Sequence, residues 1–479
     1  MNQFFRKAAA IIALAIPAGT FAQDSIRVVN KDTMVSQLTE LFDHMEAKKL
    51  FNGNAMISLD DKALFTRSVG LGNLKTNEPL TAGSVFELAS VSKQFTAAGI
   101  LRLVDKKKIS LDQQVTTILP TLPYKGITIR MLLNHTSGLP DYMELFGEHW
   151  DSTKIATNKD LVPMFIKYKP EVLFAPGAEW KYSNTGYALL ATIIEKISGK
   201  SYADFMKEEL FRPLKMNETF VYSRRLAPKN IPHYALGYIL NEQGNYILPD
   251  EVSRYNPIYF LDGIQGDGTV NTTTGDMLKW NNAVAHRTLL SASSWEQALT
   301  PVVLKDGQPG TYGFGWGIGS GPKSGNVISH SGSWPGYVTY NLIYLDKHIS
   351  LVLLTNMEQP GDIFNETVRA IKNIILGLPY TAPQPFEKKK EATIDKSIYS
   401  SYTGTYNLAP GFDIVVTTSE GHLYIEPTGQ GKSEILPESA TMYFIPDFPV
   451  NIEFKQKEGK TESLMLYQNG QKMPALRVK

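Results

Sequence analysis

The sequence predicts an α+β fold: an antiparallel sheet assembled from both ends of a domain and flanked by helices, a helical insertion between its halves, and a small all-β domain at the C-terminal end. Three observations carry that prediction. Strand-like runs occur early, in NAMISL and ALFTRSVGLG, and return only late, in NVISHSG, GYVTYNLIYLD and HISLVLLTNM. Between them lies a long stretch of helical periodicity mixed with Pro- and Gly-rich loops, TGYALLATIIEKISGKSYADFMKEEL being one example. After residue 394, short strands divided by Glu-Gly and Asn-Gly turns run on through the remaining residues.

Residues 1–22, MNQFFRKAAAIIALAIPAGTFA, place Arg6 and Lys7 before an apolar segment that ends in small residues around Ala22. This is the pattern of a secretory signal peptide. Its apolar part, Ala8 to Ala18, falls short of the ~20 residues a spanning helix needs. The expectation is therefore export to the periplasm or the medium, with cleavage near Ala22 and no stable membrane span afterwards. A helix over MVSQLTELFDHMEAKKL follows, and DDK between two strand-like runs marks a hairpin. Residues 90–104 read as a mostly apolar helix ended by DKKKIS, and DIFNETVRAIKNIILG as the amphipathic helix closing a domain of residues 23–380. Residues 381–394, TAPQPFEKKKEATI, combine proline with a charge run and read as a linker to a small β-barrel-like accessory domain, 395–479.

Composition removes several kinds of chemistry. With 479 residues the chain exceeds one compact domain, and 48 basic against 47 acidic residues without a basic stripe give no footprint for nucleic acid. The absence of cysteine excludes disulfides, thiolate catalysis and cysteine-based zinc sites. The eight histidines include no His-Glu-x-x-His, so no metal is expected. ISGKS ends like a phosphate loop but has Ile194 where the first glycine belongs, and Gly-x-Ser-x-Gly is missing. No cofactor is implied, and oligomeric state is not encoded in any motif.

What remains is Ser90-Val91-Ser92-Lys93, with serine and lysine on one helix face. A lysine desolvated among cationic neighbours can become a neutral amine and accept a serine proton. Alone, the motif reads first as a helix start, with Ser90 as N-cap and Lys93 in solvent; a second copy, Ser320 to Lys323, sits in the turn-like GIGSGPKSGN. Tyr182-Ser183-Asn184 adds a phenol and an amide on one loop, the phenol suited to general base and acid work. Its copy, Tyr467-Gln468-Asn469, falls in a hairpin turn of the last domain. The third element is His330-Ser331-Gly332 on a strand, where glycine admits substrate backbone and the Ser333 amide can pair with that of Ser90 as an oxyanion hole. By itself His330 reads as a structural or surface histidine.

In this order the three elements resemble the serine β-lactamase and penicillin-binding-protein superfamily, in the branch of class C β-lactamases, DD-carboxypeptidases, D-aminopeptidases and related esterases. MLLNHTSGLPDY, FAPGAEWKYSNTGYALLA, LFRPLKMNET, GDGTVNTTTGDMLKW and YGFGWGI resemble that branch too. The resemblance implies a β-lactamase/transpeptidase-like fold, Ser90 as acylated nucleophile, and Lys93 and Tyr182 sharing acid and base work. It further implies that Asn184, His330, Gly332 and Ser333 meet the substrate; His135, which recurs in that stretch of the family, is read as a structural side chain that steadies its turn. Where class C β-lactamases have Lys-Thr-Gly, this chain has His330-Ser331-Gly332, which offers a substrate carboxylate only a partly charged partner. The implied activity is an acyl-enzyme hydrolase of D-amino-acid peptides, cell-wall fragments or small esters. A β-lactamase and a catalytically silent penicillin- or peptidoglycan-binding relative are the alternatives. Tyr402, Gly404 and Tyr406 in SSYTGTYNL resemble the opening of lipocalin-like domains appended to such hydrolases.

Overall fold

The structure, a computed structural model, describes residues 30–479 apart from 242, 254–255, 305–306, 386–388, 410–411, 429–430, 447, 449, 458–459 and 469–470. The leader expected over residues 1–22 lies outside the described residues. The chain divides into two compact units, one of the described residues 30–358 plus Asn373–Pro379, the other of Gln359–Lys372 plus Tyr380–Lys479. No helix among the described residues is long and apolar enough to cross a membrane.

In the first unit, α1 (Lys31–Ala47) starts at Asn30, whose side chain accepts the Asp32 amide, and buries Met34, Leu38, Leu41, Phe42 and Met45 along one stripe. Strands β1 (Gly53–Leu59) and β2 (Lys62–Val69) form the expected hairpin. Asp60 and Asp61 both take positive φ, 48° and 67°, the conformation a tight turn needs and aspartate tolerates. The sheet is completed by β3 (Gly317–Gly321), β4 (Gly325–Trp334), β5 (Tyr337–Tyr344) and β6 (Ile349–Thr355), in the order β3-β4-β5-β6-β1-β2, antiparallel throughout. The late strands thus pair with the early ones through β1 and β6, as the two groups of strand signals required. All seven residues of β6 are buried, which marks it as a central strand covered on both faces.

Strand β3 departs from expectation, because GIGSG was read as turn. It is an edge strand in register with β4 from Gly317 opposite Ser329 to Gly321 opposite Gly325, so its glycine-rich backbone is held by ladder pairing rather than by side chains. The second Ser-x-x-Lys copy therefore starts on an edge strand and ends in a turn.

Helix α2 (Lys93–Asp105) follows a 3-10 turn over Ala89–Ser92, and α3 (Asn184–Ser198) is capped by Ser183, whose hydroxyl accepts the Gly186 amide at 3.1 Å. Leu189, Leu190, Ile193 and Ile194 of α3 and Phe95, Ile100 and Leu101 of α2 share one core. That packing fixes the start of each helix. A three-stranded sheet of Phe86–Glu87, Val270–Thr272 and Phe220–Val221 supports the segment leading to Ser90.

The second unit contains a closed barrel of eight antiparallel strands between Gly404 and Arg477. Tyr406, Tyr443 and Phe454, with Ile414, Val416, Leu423, Ile425, Leu464 and Leu466, fill its core. Tyr402, on the turn before the first strand, stacks on Phe454 with centroids 4.1 Å apart and donates to the Ala440 carbonyl. The barrel core is a packed interior, as small barrels allow.

Candidate active site

Ser90 is brought up by an unusual turn. Ala89 adopts φ 47°, a left-handed conformation costly for a residue with Cβ, and such strain persists only where the surroundings enforce it. Ser90 is not the helix cap: α2 begins at Lys93, and Ser92 at its N-cap position makes no side-chain cap hydrogen bond. The helix-start alternative also required a solvated Lys93, whereas this side chain is 0% exposed. A buried ammonium demands partners, and Nζ has three: Ser90 Oγ at 3.2 Å, Asn184 Oδ1 at 2.8 Å and the Asp267 carbonyl at 2.8 Å. The ring of Tyr182 lies beside it, 4.9 Å from Nζ to centroid.

Tyr182 and Asn184 flank the cap of α3, and His135 holds that segment. Its Nδ1 accepts the Ser183 amide at 3.1 Å, and its carbonyl accepts the Lys181 amide at 3.0 Å. Because Nδ1 accepts, the proton of the neutral ring resides on Nε2. Burial, then the charge of Lys93, hold this imidazole well below the usual histidine range. Tyr182 is 37% exposed, Trp180 is 41% exposed, and no described side chain bonds the Tyr182 hydroxyl. These two rings border the solvent side of the site.

The third element reaches the same place from the sheet. A Cβ on Gly332 would lie 2.3 Å from the Leu88 carbonyl, 2.4 Å from Thr339 Oγ1 and 3.0 Å from the Ser90 amide nitrogen. Thr339, opposite Gly332 on β5, donates to that Leu88 carbonyl at 2.7 Å. Glycine at 332 therefore lets the protein's own nucleophile turn dock on β4, a reason different from the approach of substrate backbone expected from the sequence. The docking sets residues 332–333 beside the Ser90 amide. β3 pairs with β4 no further than Ser329, so among the described residues the edge of β4 away from β5 has no strand beside it from His330 onward.

His330 is also corrected. The sequence suggested a partly charged residue available to substrate, but both ring nitrogens are engaged internally, Nδ1 with the Ser331 carbonyl at 2.6 Å and Nε2 with the Tyr312 hydroxyl at 2.7 Å. Burial first, then repulsion by Lys93, push this imidazole down to about 3, against a small opposing effect of the Ser331 carbonyl. It is neutral at physiological pH.

Several participants escaped sequence reasoning. Asp267 contributes a main-chain carbonyl, which no residue type encodes; its carboxyl, raised by burial and partly offset by Lys93, accepts the Tyr142 hydroxyl at 2.9 Å. Tyr312 and Gly315 lie in YGFGWGI, and a Cβ at Gly315, φ 78°, would come within 2.8 Å of the Lys93 carbonyl. That segment is packed onto the start of α2. The decoy Tyr467 is occupied elsewhere, its hydroxyl on Glu453.

A serine bonded to a buried, triply coordinated lysine, on this sheet-and-helix scaffold, defines a serine hydrolase of the β-lactamase fold. Comparison with known proteins agrees. The beta-lactamase family model matches residues 38–374, and the chain belongs to that family. Residues 388–475 match a domain of unknown function, DUF3471. Penicillin-binding protein 4* of Bacillus subtilis is 44% identical over 94% of this chain and 100% of its own length. A D-aminopeptidase of Gluconobacter oxydans is 24% identical over 73% of this chain and 62% of its own length. Among solved structures, a penicillin binding protein from Bacillus halodurans aligns with a TM-score of 0.60 at 28% identity, covering 70% of this chain and 98% of that one.

Proposed function

We propose that this protein is an exported hydrolase that forms an acyl-enzyme at Ser90 and cleaves amide or ester bonds in D-amino-acid peptides, cell-wall fragments or small esters. The observation that carries the proposal is the placement of Lys93 Nζ, 3.2 Å from Ser90 Oγ and held from two other sides by Asn184 and the Asp267 carbonyl. As a neutral amine, Lys93 keeps both of those donated hydrogen bonds and turns its lone pair to the Ser90 hydroxyl. Ser90 Oγ then bonds to the substrate carbonyl carbon while its proton passes to Nζ. The oxyanion develops between the Ser90 and Ser333 amides, donors of a kind worth about 10² to 10³ in rate. Tyr182 gives its hydroxyl proton to the leaving nitrogen or oxygen as that bond breaks, and recovers a proton from Lys93. Water repeats the sequence on the acyl-enzyme and releases the acid.

The named activities of the relatives, penicillin binding and D-aminopeptidase, support an amide or ester substrate with a D-residue at the acyl side. The β-lactamase alternative fits less well, because the third motif presents neutral His330 where a β-lactam carboxylate needs a cation. Export rests on residues 1–22, and N-terminal sequencing of protein recovered from the periplasm or medium is expected to begin near residue 23.

The decisive experiment is intact-mass spectrometry after incubation with a fluorophosphonate probe or penicillin. A single adduct on the wild type, mapped to the peptide holding Ser90 and missing from Ser90→Ala, is expected. An unmodified wild type with both reagents refutes the acyl-enzyme and leaves the silent binder.

A further inference from the structure

The face of β4 that carries Gly332 looks toward the nucleophile turn, and side chains two apart on a strand share a face, so His330 stands on the side of Ser90. Its hydrogen bonds fix its proton. The Ser331 carbonyl can only accept, so Nδ1 carries hydrogen; in the neutral ring Nε2 is then the acceptor, and the Tyr312 hydroxyl is its donor. Neither nitrogen has an N–H left for a ligand.

Tyr312 is rigidly placed for this task. It is buried, its ring lies 4.6 Å from that of His135 and 6.0 Å from that of Trp180, and the turn that follows it is closed by the Gly313 amide on the Trp316 carbonyl at 2.8 Å. The groups facing His330 are Lys93 from α2, Tyr182 and His135 from the segments before α3, Tyr187 from α3 by way of Tyr312, and Tyr312 itself. Lys93 is the basic side chain among them, and it is committed to Ser90, Asn184 and Asp267.

We propose that Tyr312 is a positioning and specificity-determining residue: by donating to Nε2 it fixes His330 and leaves it without a free N–H, which suits the leaving-group side of the site to esters and amides that carry no carboxylate. This rests on the acyl-enzyme reading and adds a substrate class to it. A free carboxylate there would be desolvated without a cation, whereas a hydrogen bond to a charged group is worth about 10- to 100-fold in binding. Loss of the Tyr312 hydroxyl frees Nε2 to take a proton when a carboxylate binds at low pH.

The test uses one scissile ester in two forms, an N-acyl-D-alanyl-D-lactate as the free acid and as its methyl ester, with the ratio of their kcat/KM values as the readout. In the wild type the methyl ester is preferred by about 10-fold or more, equally at pH 5 and pH 8. In Tyr312→Phe the preference shrinks at pH 5, through KM for the acid, and persists at pH 8. Long-range proton–nitrogen NMR of histidine-labelled protein, with His330→Gln for assignment, shows wild-type His330 as the Nδ1–H tautomer between pH 5 and pH 8. A wild type that takes the acid as well as the ester, an Nε2–H tautomer, or a Tyr312→Phe ratio equal to the wild type at both pH values overturns the proposal. Should Tyr312→Phe fail to fold, the two wild-type measurements still decide it. Fluorophosphonate labelling of Ser90 separates failure of the acyl-enzyme reading, since the His330 tautomer, and its response to Tyr312→Phe, can be read even in an enzyme that does not turn over.

Discussion

Gly332→Ala is a perturbation whose size follows from the packing of the nucleophile turn. The new methyl would lie 2.3 Å from the Leu88 carbonyl oxygen and 2.4 Å from Thr339 Oγ1, where ordinary contact begins at 3.4 Å, so the turn must retreat by about 1 Å. Backbone and a β-branched side chain cannot swing away as a long flexible chain could. Overpacking of this kind costs about 1–3 kcal/mol, and weakening of the Thr339–Leu88 hydrogen bond adds about 1 kcal/mol. The same retreat carries Ser90 away from Lys93 Nζ, and a misplacement of about 1 Å can cost on the order of 10²-fold in rate. The assay is the second-order rate constant of fluorophosphonate acylation, followed by intact mass, beside urea unfolding at the same pH. Gly319→Ala is the control: it makes the same chemical change on edge strand β3, where the methyl meets only Val327 Cγ1 at an ordinary 3.5 Å. Acylation of Gly332→Ala within about threefold of the wild type would show that the turn does not depend on this close approach.

Three further outcomes follow from the same geometry. Lys93→Met fills the buried space without a base, and acylation of Ser90 is expected to fall by about 10³-fold or more, read by the same mass assay; an active variant removes Lys93 from the mechanism. His135→Phe keeps the ring but leaves the Ser183 amide without its acceptor, lowering stability by about 1–3 kcal/mol in urea unfolding and slowing acylation through the displaced Tyr182 segment; unchanged stability contradicts the role given to His135. Glu87, raised to about 7 from 4.5 by burial first and Asp262 next, against Arg225 and Arg224, holds its proton more tightly folded than unfolded. Its contribution is therefore fully present below pH 4.5 and is lost as pH rises through 7, so Glu87→Gln is expected to gain on the wild type by on the order of 2–3 kcal/mol between pH 4.5 and pH 8. Equal differences between the two proteins at both pH values would refute that assignment.

The sequence by itself determined the elements and the reactive residues. Short apolar runs around Ala55 and Leu353 marked strands, the apolar periodicity of 184–198 marked a helix, and the serine, lysine, tyrosine and asparagine of the site were legible because each is a residue type with a chemical function at a recognisable spacing. Only the tertiary structure decided how those residues are tuned. Lys93 could have been solvated; it is buried because α2 and α3 share a core, and its third acceptor is the backbone carbonyl of Asp267, invisible to any reading of side chains. His330 carried the same letter whether charged or neutral; burial and Lys93 hold it neutral, and the Ser331 carbonyl and Tyr312, 18 positions earlier, occupy its two nitrogens. Gly332 was legible as a close approach, yet which backbone approaches was settled by the docking of the Leu88–Ser90 turn on β4. Local pattern specifies what a segment can form and what chemistry it carries, whereas desolvation, hydrogen-bond direction and steric exclusion arise between segments far apart in the chain.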